Sequence, residues 1–591
     1  MSAHHETHRP LERLPHLAPI AAWARASLRG YHLVLVAAIA GAVVVTLNLI
    51  LVTTTRGNDD AGILWNYARN VVDGHGLVYR PGEYVEGYSS LAYVLLLALG
   101  LWAVRNVGAL LSVHVDPSAI YWISLGLNFA AWMAVIAIIF KFVKEELNET
   151  AAAVIALLLG VCPAIAFWVA SGMDTPYAML SQVLIWVGVV RLERRAGTKD
   201  ERGAMVWLAA AMIFSLVTRA EGFLWPVLAL AWLLWRRPRQ AVVLGAVFGA
   251  FALCFISWRL WYYGYPLPNT YYAKLTGSLT ERLHSAWYLQ ARQVIFDAGF
   301  LITVAAVIAG IVGRLDSMIR FTQTRALIAT DFEILAALAW IAYFQYVGGD
   351  VYFERPMLVL IPLGLVIAAR VLFPSLKSAG SAALAVLVAF AVIVYPLWGY
   401  YRPRAEKFQG DGLAKLGRLL GETYPDATVA LNLAGKLAYY SELPCIDMLG
   451  LCDEHVGHSE PTGPFKVGHS KRGFGYALSR KPELVVVCPQ LYTGDVWSLI
   501  IDDGYTIGQM HDIGYEPVLA CRWEKGLILR RAFEKELSEL TEEEFKSFVN
   551  KKLIDLLVFY NPNPTGELPK SDDTDGKTSR ATSAQEVDRG P

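Results

Sequence analysis

The strongest constraint on this chain is a repeated one. Apolar runs of near bilayer-crossing length recur at residues 31–53, 118–142, 151–169, 177–190, 204–217, 223–235, 241–262, 294–312, 332–347, 358–373 and 379–398. A membrane-spanning helix needs about twenty mostly apolar residues. Eleven such runs therefore predict a polytopic α-helical membrane protein. Composition agrees: 55% of residues are hydrophobic, 18% are charged and the mean hydropathy is +0.39, beyond ordinary globular usage. A formal net charge of zero gives no electrostatic basis for nucleic-acid binding. Residues 1–30 are polar and lack a small-residue cleavage signature, so they read as a cytoplasmic segment before a retained span.

Basic residues set the expected orientation. Clusters fall at Arg9/Arg13/Arg25/Arg29, Lys141/Lys144, Arg191/Arg194/Arg195/Lys199/Arg202, Arg236/Arg237/Arg239 and Arg314/Arg320/Arg325. With all of them cytoplasmic, an even number of spans separates neighbouring clusters. Three apolar runs lie between Arg29 and Lys141, so one does not cross. The segment 91–104, fourteen residues long before Arg105, has interfacial or re-entrant length. Residues 54–117 then form one outer loop, followed by outer loops at 170–176, 219–222, 263–293 and 348–356. The membrane domain is 31–398, in a cytoplasmic (inner or plasma) membrane, with the N-terminus inside. The odd span count leaves residues 399–560 outside as a small α/β domain. Within it a helix is expected at 413–424, strands at 427–431, 484–488 and 527–529, and a charged amphipathic helix at 534–558. Residues 561–591 read as a disordered tail. Six cysteines show no zinc-site spacing; Cys445, Cys452, Cys488 and Cys521 allow three pairings if oxidised.

Polar residues of chemical interest gather on that outer side. Asp59 and Asp60 precede a helical stripe at Ile63, Leu64, Tyr67, Ala68, Val71 and Val72, which reads as an amphipathic helix on the membrane surface. One of the two acids suits an N-cap; the other is free to act as a base or metal ligand. Asp174 sits in the tight Ser171-Gly172-Met173-Asp174 loop, as a cap for the next helix or as a substrate-side carboxylate. Arg219 and Glu221 flank a short turn and can pair with each other. The segment from Tyr262 through Tyr271 and Tyr272 to Lys274 is either an interfacial aromatic belt or a groove that brings an ammonium to a phosphate. Asp350 and Arg355 add an acid and a cation just outside a span. Acids to deprotonate an acceptor, with cations to hold a departing phosphate, suit transfer from a phosphate-linked lipid.

Several motifs also resemble those of a known family. Asn58-Asp59-Asp60-Ala61, Tyr67-Ala68-Arg69-Asn70, Gly74-His75-Gly76-Leu77-Val78-Tyr79 and Gly82-Glu83-Tyr84-Val85-Glu86-Gly87-Tyr88 resemble the first outer loop of the C-type (GT-C) membrane glycosyltransferases. Within these the likeness is to the mycobacterial terminal β-(1→2)-arabinofuranosyltransferases and their bacterial relatives. It continues at Ser171–Asp174, Arg219-Ala220-Glu221, Tyr262 to Lys274, Gly348-Gly349-Asp350, Asp447-Met448-Leu449-Gly450-Leu451 and Gly468-His469-Ser470-Lys471. The family commonly has Arg-Pro-Glu at the second of these motifs and Glu at the position of Asp174.

The resemblance implies a GT-C fold and a polyprenyl-phosphate-linked sugar donor, with arabinofuranose passing from decaprenyl-phosphoryl-arabinose to a cell-wall arabinan. Asp59 or Asp60 would be the base. Lys274, Arg355, His75 and Arg219 would hold the donor phosphate, while Asp174, Glu221, Tyr271, Tyr272, Asp350, His469 and Lys471 would support substrate. Aromatics from Trp65 to Tyr88, with the outer domain, would bind the glycan acceptor. A divalent cation (Mg or Mn, on Asp59, Asp60 and Asp174 if any) stays open. The alternatives are a lipid-linked hexose transferase acting on lipopolysaccharide, another polysaccharide or protein, and, in another class, a lipid or polymer transporter.

Overall fold

The computed structural model describes residues 38–47, 57–287, 329–350, 352, 355–372, 398–399, 401, 411–461, 465, 468, 470–488, 490–491, 499–500, 505–522, 525–532, 535–541, 543–544, 547–548 and 554–568. Expectations for residues 1–30, for 294–312, for nearly all of 379–398, for His469 and for the tail beyond 568 lie outside the described residues.

The chain is a polytopic helical membrane protein with a small C-terminal α/β region. Among the described residues, five helices are long and apolar enough to cross a membrane: Leu91–Leu110, Ala119–Glu146, Thr175–Arg195, Glu201–Thr218 and Pro238–Tyr263. A sixth arises if the pair Glu149–Gly160 and Pro163–Ala170, bent by 48°, counts as one span. Pro163 has no N–H to donate, and Cys162 before it is extended at φ −74°, ψ 111°, as a residue preceding proline prefers. The expected runs at 223–235, 332–347 and 358–373 are the helices Leu224–Arg236, Ala329–Val347 and Leu360–Leu372.

Two expectations about the segment after residue 57 need correction. The helix Ala61–Val72 (α1) forms on the predicted apolar stripe, but it is not a surface helix: every residue from Ala61 to Asn70 is buried. Its polar side chains are satisfied internally instead. Asn66 and Asn70 each donate to the Tyr79 carbonyl at 2.9 Å, and Arg69 donates to the Tyr439 carbonyl at 2.7 Å. A hydrophobic stripe cannot distinguish a lipid-facing helix from one covered by another part of the chain.

The second correction concerns 91–104, which belongs to a twenty-residue helix, Leu91–Leu110 (α2). Arg105 does not end it because its guanidinium reaches Asp73 at the end of α1, at 2.5 Å. Tyr93, in the first turn of α2, donates to the Gly172 carbonyl. Just beyond its far end, Asp116 pairs with Arg418 at 2.9 Å, and Pro117 accepts from the Tyr439 hydroxyl. Thus α2 has spanning length, yet both its ends contact the layer that holds α1.

The C-terminal region carries a six-stranded sheet of β1 (Val429–Leu431), β2 (Cys445–Asp447), β3 (Leu484–Val487), β4 (Glu516–Arg522), β5 (Leu527–Leu529) and β6 (Leu556–Tyr560). The order is β2-β1-β3-β6-β4-β5, parallel among β1, β2 and β3 and antiparallel beyond. The helix Gly412–Thr423 and the three expected strands are present. Of the amphipathic helix expected at 534–558, residues 543, 544, 547 and 548 are helical among the described residues, while Lys535–Glu536 is a strand and Leu537–Glu539 a 3-10 turn. The end of that segment is β6, whose run Leu556-Leu557-Val558-Phe559-Tyr560 is β-prone and almost wholly buried between β3 and β4, where packing overrides the charged flank. Cys162, Cys254, Cys445, Cys452 and Cys521 are free thiols.

Candidate active site

Backbone contact too close for side chains positions the two leading acids. Gly57 and Gly172 have φ of +81° and +75°, and a Cβ on either would strike the Trp65 ring. The Asn58 N–H donates to the Ser171 carbonyl at 2.7 Å. Trp65 therefore clamps the Asp59-Asp60 turn against the loop that carries Asp174. From the other side, the Gly435-Lys436 backbone of the C-terminal region meets the start of α1. A Cβ on Gly62 would lie 2.2 Å from the Gly435 carbonyl carbon, and one on Gly435 would lie 1.9 Å from the Asp59 carbonyl oxygen.

The two acids have different surroundings. Asp59 Oδ1 accepts from the Lys436 N–H at 2.8 Å. Burial, reinforced by the neighbouring Asp60 charge, pushes its carboxyl from 3.8 up to about 7 against that hydrogen bond. Asp60 occupies the N-cap position of α1, but its side chain makes no cap hydrogen bond. Neither acid caps the helix. Among the described residues the Asp60 carboxylate has no hydrogen-bond partner and lies within electrostatic reach of Lys274 and Arg355.

Around Asp60 the cluster expected from the sequence assembles in part. Asp350 accepts from Arg355 Nη2 at 2.5 Å and, through its other oxygen, from the Tyr352 N–H at 2.9 Å. Burial alone would raise the Asp350 carboxyl, but Arg355, Lys274 and Arg219 hold it at about 2. Lys274 ends the short helix Asn269–Lys274 and makes no ion pair among the described residues. Burial pushes its ammonium below the ordinary value; Asp350 opposes that shift and Arg355 adds to it. Arg355 keeps a buried Nε with no partner. These two cations therefore retain donors for an anion.

Other residues occupy different roles from those expected. Arg219 is bound by two carboxylates, Glu221 at 2.6 Å and Asp174 at 3.2 Å. Asp174 is fully buried and also accepts from Ser89 at 3.2 Å; its side chain does not cap the next helix. His75 is exposed beyond the far end of α1, separated from Asp60 by the twelve-residue length of that helix, about 18 Å. Lys471 is buried and donates to the Gly457 carbonyl at 2.7 Å, a contact internal to the C-terminal region. Tyr271 is 41% exposed, one turn before Lys274. Tyr272 instead packs on His458, ring centroids 4.4 Å apart.

Of the aromatics between 65 and 88, Trp65, Tyr67, Tyr79 and Tyr88 are core side chains; Tyr84 is 52% exposed. Among the described residues no three His, Cys, Asp or Glu side chains converge, Asp174 is held by Arg219, and Asp59 is held by Lys436.

Some of the site carried no signal in the sequence. Gly435 and Lys436 lie some 376 residues from Asp59, in no motif that points to them. The Tyr352 hydroxyl donates to Asn58 at 2.9 Å and ties the Asp350 loop to the start of α1. Glu86 and Arg259 did carry one, because an arginine inside an apolar span implies a partner. They pair at 2.9 Å. The Glu86 carbonyl also accepts from the Asn269 N–H at 2.9 Å, at the start of the Lys274 helix.

Comparison with solved structures places this architecture. The apo oligosaccharyltransferase of Archaeoglobus fulgidus superposes with a TM-score of 0.50 at 13% identity, over 71% of this chain and 64% of the archaeal one. The fold is that of a GT-C glycosyltransferase. This chain thus spans less than two thirds of the archaeal protein's length. ArnT from Cupriavidus metallidurans in the apo state aligns at 15% identity and a TM-score of 0.46, over 79% of this chain and 93% of that one. Residues 399–536 match a family model described as "Domain of unknown function (DUF8728)". No curated protein matches the chain.

Proposed function

We propose that this protein is a polyprenyl-phosphate-sugar-dependent glycosyltransferase acting on the outer side of the cytoplasmic membrane. One observation supports the reading: on a GT-C fold, the carboxylate of Asp60, which has no hydrogen-bond partner among the described residues, lies within electrostatic reach of two cations that keep donors, Lys274 and Arg355. An acceptor hydroxyl gives its proton to Asp60 as its oxygen bonds to the anomeric carbon of the donor. The bond from that carbon to the phosphate oxygen breaks, and the polyprenyl phosphate leaves with its added negative charge held by Lys274 and Arg355. Asp350 orients Arg355, and Asp174 with Glu221 orients Arg219. Asp59 is a positioning residue that joins the C-terminal region to the start of α1. His75 and Lys471 have no part in this scheme.

The motif likeness of the 58–88 stretch favours arabinofuranose carried on decaprenyl phosphate, and a cell-wall arabinan as acceptor. The contacts at both ends of α2 favour residues 54–117 as a single outer loop. The test is transfer by the purified full chain from defined polyprenyl-phosphate pentoses and hexoses, comparing wild type with Asp60→Asn. Transfer that D60N abolishes is the expected result, with the decaprenyl-phosphate arabinose preferred. Full activity in D60N removes Asp60 as the base. Failure of every lipid-linked sugar, together with solute movement across vesicles, removes the enzyme reading in favour of a transporter.

A further inference from the structure

A cavity of about 660 Å³ opens between the loop after α1 and the C-terminal region, away from the Asp60 cluster. Its size lies within the ordinary range for a ligand site. One wall presents Tyr84, whose half-exposed ring meets Tyr262 edge-on at 5.1 Å. The facing wall presents Tyr476, with the His455 ring stacked on it at 4.1 Å. Glu83 and Arg480 form an ion pair across the two walls at 2.6 Å. The lining thus pairs exposed aromatic surface with carboxylates, the composition that receives the apolar and hydroxyl-bearing faces of a sugar.

Charge narrows the ligand. Three carboxylates line the cavity, Glu83, Asp453 and Glu454, with the Arg480 guanidinium and the rings of His455 and His458; a second guanidinium, Arg80, pairs with Glu83 from outside the lining at 3.2 Å. Arg480 is already paired with Glu83 and lies 3.9 Å from Asp453. With both histidines neutral, three carboxylates against two guanidinium groups leave one negative charge for an anionic ligand to meet. A neutral polyol would find acceptors for its hydroxyls.

Position narrows it further. The Val85 carbonyl, on the cavity lining, accepts from the Tyr67 hydroxyl at 2.6 Å. Tyr67 lies seven residues along α1 from Asp60, about 10 Å of helix. An oligosaccharide bridges that distance and a single sugar does not.

We propose that this cavity is a subsite for a neutral oligosaccharide acceptor, holding sugar units remote from the hydroxyl that reacts. It rests on the glycosyltransferase reading for its purpose, though not for its measurement. The experiment is equilibrium binding, without donor, to the full chain in lipid nanodiscs. The probes are neutral arabino-oligosaccharides of two and six residues and an anionic galacturonate hexamer. The neutral hexamer is expected to bind about tenfold more tightly than the dimer, and Tyr84→Ala and Glu454→Gln each to erase most of that advantage. The proposal is overturned by equal binding of dimer and hexamer, by full hexamer affinity in both variants, or by the anionic hexamer binding as well as the neutral one. Because no donor is present, a chain that binds the hexamer but transfers no sugar refutes the enzyme reading alone. One that transfers sugar with no preference for the longer acceptor refutes the subsite alone.

Discussion

Among the described residues, two clusters of charge in the helical bundle differ in whether their charges are satisfied. At one end of the helical bundle, Arg370 binds Glu146 at 2.5 Å and also binds Glu333. Trp186 donates to Glu333 at 2.5 Å, and Arg194 completes Glu146 at 2.6 Å. Two acids and two guanidinium groups close on one another. At the other end, Asp174, Glu221, Arg219, Asp350 and Arg355 are similarly engaged, but Asp60 and Lys274 beside them are not. A buried cluster that satisfies itself holds helices together. In the proposed function, a ligand supplies the missing partners at the cluster that leaves a half-exposed acid and cation open.

The first way to break the comparison is to open the closed cluster. Glu333→Gln leaves Arg370 partly unpaired in the bundle and is expected to cost about 3–5 kcal/mol of stability. Turnover per folded molecule should stay unchanged. Thermal unfolding read beside transfer activity checks both parts. If turnover collapses while folding persists, the closed cluster is functional too and the contrast fails.

The second acts on the open cluster. Asp60→Asn should lower kcat about 10³-fold, the scale of a lost general base, with donor affinity retained. Lys274→Ala should lower kcat/KM for the donor about 10²-fold, and Lys274→Arg should recover part of it. Equal losses in both alanine and arginine variants would indicate that geometry, not charge, matters at that position.

The smallest expected effect separates the two leading acids. Asp59→Asn should lower activity only about tenfold, through the Lys436 contact. If it equals or exceeds D60N, the roles are reversed. Its pH signature is independent of turnover. The Asp59 carboxyl rises from 3.8 to about 7 on folding, so between those values the folded chain holds a proton that the unfolded chain has lost. This group's stabilising contribution is complete below about pH 4 and is lost as pH rises to about 7. D59N should flatten that slope in denaturation measured across the range.

Legibility in the sequence followed the range of the interactions. The spans, the strands at 429–431, 484–487 and 527–529, and the gathering of Asp60, Lys274, Asp350 and Arg355 all rest on local pattern or on proximity to span ends. The misreadings share a cause. The helix α1 looked amphipathic because Asn66, Arg69 and Asn70 are polar, but their partners are carbonyls of Tyr79 and Tyr439, the latter about 370 residues on. The run at 534–558 looked helical because charge flanks it, while its end is a sheet strand paired with β3 and β4. The pairing of Arg219 with Asp174, 45 residues before it, is likewise invisible in one dimension.

By itself, then, the sequence determined the environment and the menu of reactive groups. Eleven apolar runs require lipid, and acids and cations at their ends leave charge only where water or a partner can reach it. Tertiary structure decided which of those groups are open. The Asp59-Asp60 turn is held by Trp65 on one side and by the Gly435-Lys436 backbone on the other. That contact ties up Asp59 and leaves Asp60 open, within electrostatic reach of Lys274. Two adjacent carboxylates are chemically equivalent until the fold gives one of them a neighbour and leaves the other without.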